Sequence, residues 1–497
     1  MRMSIIPARS PNRQPARSAF WNGRWNLYML PIMLSGFLLQ MLFLGNMSYL
    51  YGALFKSGTR THNLKVLAID FDGGEIGQAV SDAYSALEGK DFPTVEFGSS
   101  SQYPTPDSLH EAVCKHGYWG AVYTHSGASD RLLATIESDN TTAYNASDAV
   151  TYIYNGIYYP AVVASIRGNL QTLVSVASRV YYRTAPDAAA AVNMTNPASA
   201  SAYLNPIEAT VFDLMPTNHG TRVLLNTVSM VMPILMQFFF IMALNGVMGA
   251  AGVLERQSKR DVYVFRLGVS KLHTFICSLC MTGYIWAFRE DWGVTAGQFF
   301  ETWMCLWFYM EINYLVLDAV VGTIIPMSFF SYFMLTWVIL NIGSTLYPFE
   351  LSPGFYRWGW ALPAHNIWLV LVDIWSNGCR QQLDVTMPIL FAWWFVGHFV
   401  SAWSVHKRCL MAEAEAQHEK LDDDKHARPS TNHSQSFVLN RLSSRASGHG
   451  VNDGRLDDHD LEANRVGDRL PEATDSRAVV SEAMLSQEND ATKLQKE

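Results

Sequence analysis

Two acids lie where acids are costly. Glu311 and Asp318 fall inside an apolar run, residues 299–325, of a 497-residue chain. A charge at the bilayer centre costs ~2.5–3.5 kcal/mol on insertion scales, so each needs a partner or a task. Seven residues are two helical turns, which puts both carboxylates on one face, about 10 Å apart. Asn313 falls on a different face. Asn341 lies in the next apolar run and His398 near the middle of the last. A midplane glutamate with a histidine partner can relay protons or hold a cationic substrate. The same groups also read as an interhelical hydrogen-bond pair that fixes packing, with the glutamate protonated by desolvation. No Ser-His-Asp set, metal-ligand cluster or phosphate loop accompanies them. The sequence therefore predicts no enzyme, no metal site and no cofactor.

The elements that must position these residues are apolar spans. Charged residues are only 16% of the chain and hydrophobic ones 49%, where soluble chains carry nearer a quarter charged. That excludes a soluble globular enzyme, a collagen and a wholly disordered chain. A net charge of −8 with no dominant basic patch argues against a nucleic-acid partner. Crossing the hydrocarbon core takes about 20 residues. Six runs qualify: 27–50, 223–253, 272–288, 299–325, 327–347 and 385–405. The piece 367–375 is too short to cross and reads as re-entrant or interfacial. The first run is too long for a cleaved signal and reads as an anchor.

Charge orients these spans. Residues 1–26 hold Arg2, Arg9, Arg13, Arg17 and Arg24 and no acid. The loop 254–271 holds Arg256, Lys259, Arg260, Arg266 and Lys271, and Lys407 and Arg408 follow the last span. Six crossings put all three on one side, which the positive-inside rule makes cytoplasmic, both termini included. Residues 56–222 and 348–384 then lie outside. Asn140, Asn145 and Asn193 begin glycan acceptor triplets in that outer segment. Trp21, Trp25 and Tyr28 at one end of the first span, and Trp358 and Trp360 in the outer loop, suit the headgroup layer.

The outer segment reads as a small α/β unit. Strands are expected at 64–70, 94–97, 120–123 and 150–154, with helices at 75–87, 108–116 and 166–183. Asp70 and Asp72 with Gly73-Gly74 read as a turn and helix start rather than a ligand loop. The small residues Gly246, Gly249, Ala250, Ala251 and Gly252 suggest close helix packing. Cys277 and Cys280 lie inside a span and read as small apolar groups. Cys114 and Cys379 both fall outside, and their separation leaves pairing open. Residues 406–497 carry thirteen basic and eighteen acidic residues and one aromatic, Phe437, a composition that cannot bury a core. Ser443, Ser444 and Ser447 sit between arginines there, in the pattern of a basophilic kinase site.

Three stretches carry a family resemblance. One is Lys65-Val66-Leu67-Ala68-Ile69-Asp70-Phe71-Asp72-Gly73-Gly74, and another is Glu255-Arg256 before the basic loop. The third is Ser-Pro-Gly-Phe-Tyr-Arg-Trp-Gly-Trp-Ala-Leu-Pro-Ala-His-Asn at 352–366, with Phe355, Tyr356, Arg357, Trp358, Gly359, Pro363, His365 and Asn366 as its marked positions. Over residues 20–409 the chain resembles fungal nitrosoguanidine-resistance membrane proteins and, in layout, the permease halves of ABC-2 type transporters. The expected fold is thus a polytopic α-helical membrane protein. It has six transmembrane helices, a small extracellular α/β domain between the first two, and an ABC-2 permease-like plan. The resemblance implies a plasma-membrane protein of toxicant tolerance and lipid distribution, with membrane lipids and amphipathic small molecules as partners. It also implies a homodimer, since permease halves pair. The chain has no GxxxxGK[ST] loop, and 373–379 departs from the family pattern. The alternative is a non-transporting regulator or scaffold that acts through the tail, with a kinase as partner.

Overall fold

The computed structural model describes residues 17–115, 117–137, 144–217, 219–379 and 382–427. Helix α1 (Trp25–Leu54) comes first. It is apolar on every side and most of its large side chains are exposed. A helix that buries so little against its own chain is one whose solvent is lipid.

A five-stranded sheet follows. In chain order come β1 (Lys65–Asp70), α2 (Glu75–Leu87), β2 (Thr94–Gly98), α3 (Pro106–Lys115), β3 (Gly120–Thr124) and α4 (Ala128–Glu137). Then come β4 (Val150–Tyr154), α5 (Pro160–Thr184), α6 (Pro186–Ala191), α7 (Pro197–Leu204) and β5 (Ala209–Asp213). The spatial order is β2-β1-β3-β4-β5. β1 pairs in parallel with β2 and β3, β4 runs antiparallel to β3, and β5 is parallel to β4. β1 is an interior strand, and helices cover both of its faces. Val66 and Ala68 join a core with α2, α4 and α5, while Leu67 and Ile69 join a second core with α3. α2 buries Ile76, Ala79, Val80 and Ala83, the spacing of one helical face. The expected α/β unit is present. Helix α4 and the edge strand β5 add to it.

The rest is helical: α8 (Val228–Ala250), α9 (Val253–Arg256), α10 (Lys259–Ala287), α11 (Ala296–Val320), α12 (Phe330–Gly343), α13 (Pro363–Trp375) and α14 (Leu383–Ala427). Among the described residues four helices are long and apolar enough to cross a membrane: α1, α8, α10 and α14. α11 is long enough but less apolar, and its second half has buried residues on all sides. α12 is apolar but short. α13 covers 13 residues, too few to cross, as expected.

Two boundaries are corrected. The third span starts at Lys259, not Leu272, because the Ser258 hydroxyl accepts from the Asp261 amide and caps the helix there. The basic stretch 259–271 is helix, not loop. The last helix does not end at Val405 but runs to Ala427, where Lys259 meets Glu413 at 3.2 Å, so the tail begins later than expected. A Cβ placed at Gly246 or Gly249 meets nothing within 4 Å, so these residues do not serve close packing within the chain.

The domain and the helices share one core. Tyr159 at the start of α5 stacks edge-on to Trp368 of α13 with centroids 5.8 Å apart, and Trp368 in turn meets Trp375 at 6.0 Å. A disulfide joins Cys114 of α3 to Cys379 just after α13. Such bonds persist in oxidising compartments. Both cysteines therefore lie on the same side of any membrane the chain spans. We predict that the protein shifts on non-reducing gels upon reduction, and that Cys379→Ser removes the shift and lowers the folded yield. Identical migration of wild type and variant under both conditions would contradict the bond.

Candidate functional site

α11 presents its acids to α10. It begins at a capping box, where Thr295 and Gln298 satisfy each other's backbone amides. Two turns of helix separate Glu311 from Asp318, and both face the same neighbour, as their spacing requires. α10 answers with a stripe at four-residue intervals: Arg266, Ser270, Thr274, Ser278 and Thr282, all buried. These small side chains let two helices approach closely while leaving donors between them.

Asp318 is 1% exposed and doubly paired. Its Oδ1 lies 2.5 Å from Arg266 Nη2 and 2.8 Å from Arg408 Nη2 of α14. Ser401 donates to Oδ2 at 2.7 Å. Ser404 donates to the Asp318 carbonyl at 3.0 Å, and Arg408 Nη1 reaches Asn245 Oδ1 of α8 at 3.4 Å. Three helices thus meet at one carboxylate, and α8 joins them through Arg408.

Glu311 is 2% exposed and sits in a different setting. Lys271 Nζ donates to Oε2 at 2.7 Å, and Thr274 donates to Oε1 at 2.7 Å. Trp307 donates to the Thr274 hydroxyl at 3.2 Å. The Lys271 side chain remains 36% exposed, and its ammonium lies 5.7 Å from the Trp394 ring centre. One end of this pair is sealed and the other is open.

The expected histidine partner is not there. His398 Nδ1 bonds its own helix at the Trp394 carbonyl, 2.8 Å away, and Tyr263 donates to the His398 carbonyl. Lysine takes its place because α10 begins a dozen residues earlier than the charge pattern suggested. Arg266, Lys271 and Arg408 all carried the signature of loop charges. The four-residue polar stripe is the signal that reveals Arg266, and it does not include Lys271 or Arg408. Cys277 and Cys280 are free thiols.

Asn341 and the outer-loop motif build a helix cap. Asn341 Nδ2 donates to the Trp337 carbonyl, and its Oδ1 accepts from the Ala364 amide at the start of α13. Pro363 stands at the first position of α13, where no amide is needed. His365 Nδ1 contacts the Ser344 carbonyl at 3.1 Å, and Asn366 donates to the carbonyls of Trp360 and Leu362. Tyr356 donates to the Tyr49 carbonyl of α1 at 2.8 Å. Gly359 has no room for a side chain, because a Cβ would stand 2.8 Å from the Phe349 ring. Phe355, Arg357, Trp358 and Trp360 are exposed, with Trp358 6.0 Å from Tyr49. The buried half of the motif holds α13 and α1 in place, and the exposed half is aromatic and cationic.

The Asp70 loop is self-contained. Asp70 Oδ1 accepts from the Asp72 and Gly73 amides and from Thr124, and Asp72 accepts from the Ser129 amide and hydroxyl. It is a turn that closes on itself. Of the glycan acceptors, Asn145 is exposed and Asn193 half-buried, while Asn140 lies outside the described residues. Ser443, Ser444 and Ser447 also lie outside them. Among the described residues no group of three or more His, Cys, Asp or Glu could hold a metal.

The family described as Protein of unknown function (DUF3533) matches residues 35–399. The chain belongs to this family. That match runs from within α1, through the sheet and the acid-bearing α11, to His398 and Phe399 of α14. The chain is also 21% identical, over 381 residues, to the uncharacterized endoplasmic reticulum membrane protein YJR015W of Saccharomyces cerevisiae. That alignment covers 69% of this chain and 73% of the yeast protein. No solved structure matches. The family, the relative and the four apolar helices make the chain a membrane protein.

The two ion pairs differ in what their loss leaves behind. Asp318→Asn strands two buried guanidinium groups, which costs about 3–5 kcal/mol. Glu311→Gln keeps an acceptor for Thr274, and Lys271 can extend along its stem to a more polar level, so its cost is less than half of that. Thermal unfolding of the purified protein in detergent checks this order. Equal destabilisation by the two variants would contradict it.

Proposed function

We propose that this family member is a six-crossing, ABC-2-like membrane protein that moves amphiphiles or lipids and thereby confers tolerance to toxic compounds. It works without an ATPase domain of its own and performs no covalent chemistry. In this reading α11 and α12 cross along with α1, α8, α10 and α14. The basic layer around Lys259, Arg260, Lys407 and Arg408 faces the cytoplasm with both termini, and the sheet domain faces outward. The disulfide and the acceptor triplets at Asn145 and Asn193 support that orientation. The resemblance to nitrosoguanidine-resistance proteins supports tolerance and the plasma membrane. The yeast relative's name points to the endoplasmic reticulum, and a fluorescent fusion imaged in cells distinguishes the two membranes. Membrane lipids and amphipathic small molecules are the proposed partners, and a homodimer the proposed assembly.

The observation that carries this reading is the Glu311–Lys271 pair. It sits between two long helices, with the acid buried and the lysine side chain 36% exposed. A pair needed only for packing has no reason to keep one end open, whereas a pair that exchanges a proton or meets a cationic amphiphile does. In cells with and without the protein, a labelled amphipathic toxicant should leave faster when it is present. An uncoupler should remove the difference, and Glu311→Gln should abolish tolerance at unchanged protein level. Normal tolerance in that variant would refute the role of the pair.

One observation favours the second reading, a regulator or scaffold. α14 continues to Ala427 and touches α10 through Lys259–Glu413, so the helix that precedes the tail is itself packed on the bundle. Cutting at 411 removes that contact, so the informative deletion is 428–497. A translocator keeps tolerance after this deletion, whereas a regulator switched by a kinase at Ser443, Ser444 or Ser447 loses it.

A further inference from the structure

Where α13 ends, a carboxylate is buried without a partner. Asp373 is 8% exposed, and its Oδ1 has no hydrogen-bond partner. A buried polar group left unsatisfied costs free energy, most of all an acid, and calls for an explanation. Among the described residues, Gln298, Trp375 and Ser376 spend their side-chain donors elsewhere. Gln298 Nε2 donates to the Ile374 carbonyl at 2.9 Å and to Asn377 Oδ1 at 3.3 Å. Trp375 Nε1 donates to Thr302 at 2.9 Å, and the Ser376 hydroxyl to the Cys379 carbonyl at 2.8 Å.

Asp373 lines a cavity of about 500 Å³, within the ~300–1,000 Å³ range of small-molecule pockets. Glu301, exposed on the first turns of α11, lines it too, with Asn377 from the turn and Ile374 and Leu383 as apolar wall. The walls are held in place. Asn377 and Gly378 take left-handed backbone at φ 52° and 82°, and the Gly378 amide closes the turn on the Asp373 carbonyl at 2.9 Å. Cys379 then fastens the turn to the sheet domain.

We propose that this cavity, at the end of the bundle next to the sheet domain, binds an organic ammonium group. Its cation would sit between Asp373 and Glu301, and its alkyl substituents against Ile374 and Leu383. Two carboxylates supply the charge, the enclosed one supplies the specificity, and the apolar wall favours an alkylammonium over a bare hydrated ion. The ammonium belongs either to a free cation or to a lipid headgroup. The site stands whether or not the chain transports.

The test is equilibrium binding of tetrapropylammonium to the full chain in nanodiscs of neutral lipid. Saturable binding is expected. Asp373→Asn should weaken it at least tenfold, and Glu301→Gln severalfold. Retention of the disulfide mobility shift and of the unfolding temperature shows that each variant is folded. Competition by diheptanoylphosphatidylcholine assigns the site to headgroups, and its failure to compete assigns the site to free cations. Both outcomes support the ammonium assignment. Absence of saturable binding, equal affinity in both variants, or displacement by calcium in place of the ammonium would overturn it.

Discussion

The apolar interior of the bundle does not solvate a carboxylate, and Asp318 is answered there by two arginines from different helices. This contact organises much of the structure. It fixes the rotation of α10, α11 and α14 about their axes, because each must aim one polar side chain at the same point. It draws in α8 through Asn245 and Met248, which contact Arg408 and Arg266. A buried ion pair is weak evidence for added stability, since desolvation offsets most of the attraction. Its loss is nonetheless severe, because the remaining charges have nowhere to go. The cluster therefore selects one arrangement of helices more than it strengthens that arrangement.

Around that clamp the chain distributes its polar groups by depth. Glu311 and Lys271 lie further along the same two helices and are less closed. Beyond them, toward the sheet domain, α13 packs under the sheet through Tyr159, Trp368 and Trp375. It is pinned by the Asn341 cap at one end and the disulfide at the other. A helix too short to cross can still hold its place when its first amides meet a side-chain carbonyl and its last turn is tied by a covalent bond. The Asp373 cavity depends on this, since Asn377 and Gly378 of the fastened turn form part of its wall.

The outer-loop motif is reinterpreted by these contacts. Its pattern of Tyr356, Gly359, Pro363, His365 and Asn366 is the set of side chains needed to cap α13 and seat α1. Such roles demand particular residue types, which is why the motif resembles a signature. Its exposed members, Phe355, Arg357, Trp358 and Trp360, have the amphipathic character of an interface patch.

The sequence alone determined the elements whose cause is local. Period-two and helical patterns in 64–183 identified the α/β unit, and unbroken apolar runs identified α1, α8 and α14. The two-turn spacing of Glu311 and Asp318 correctly put them on one face. Strand β5 escaped because it is an edge strand with mostly exposed side chains and so lacks a buried pattern. Only the tertiary structure decided the partners. Basic residues read as loop charges by composition, and nothing local distinguishes a lysine that ends a span from one that lies inside it. His398 seemed the natural partner for Glu311, yet partner choice depends on which helix packs alongside. The Cys114–Cys379 bond spans 265 residues, and sequence separation carries no information about distance in space. The unpartnered state of Asp373 is likewise visible only once the donors of the described residues near it have been assigned.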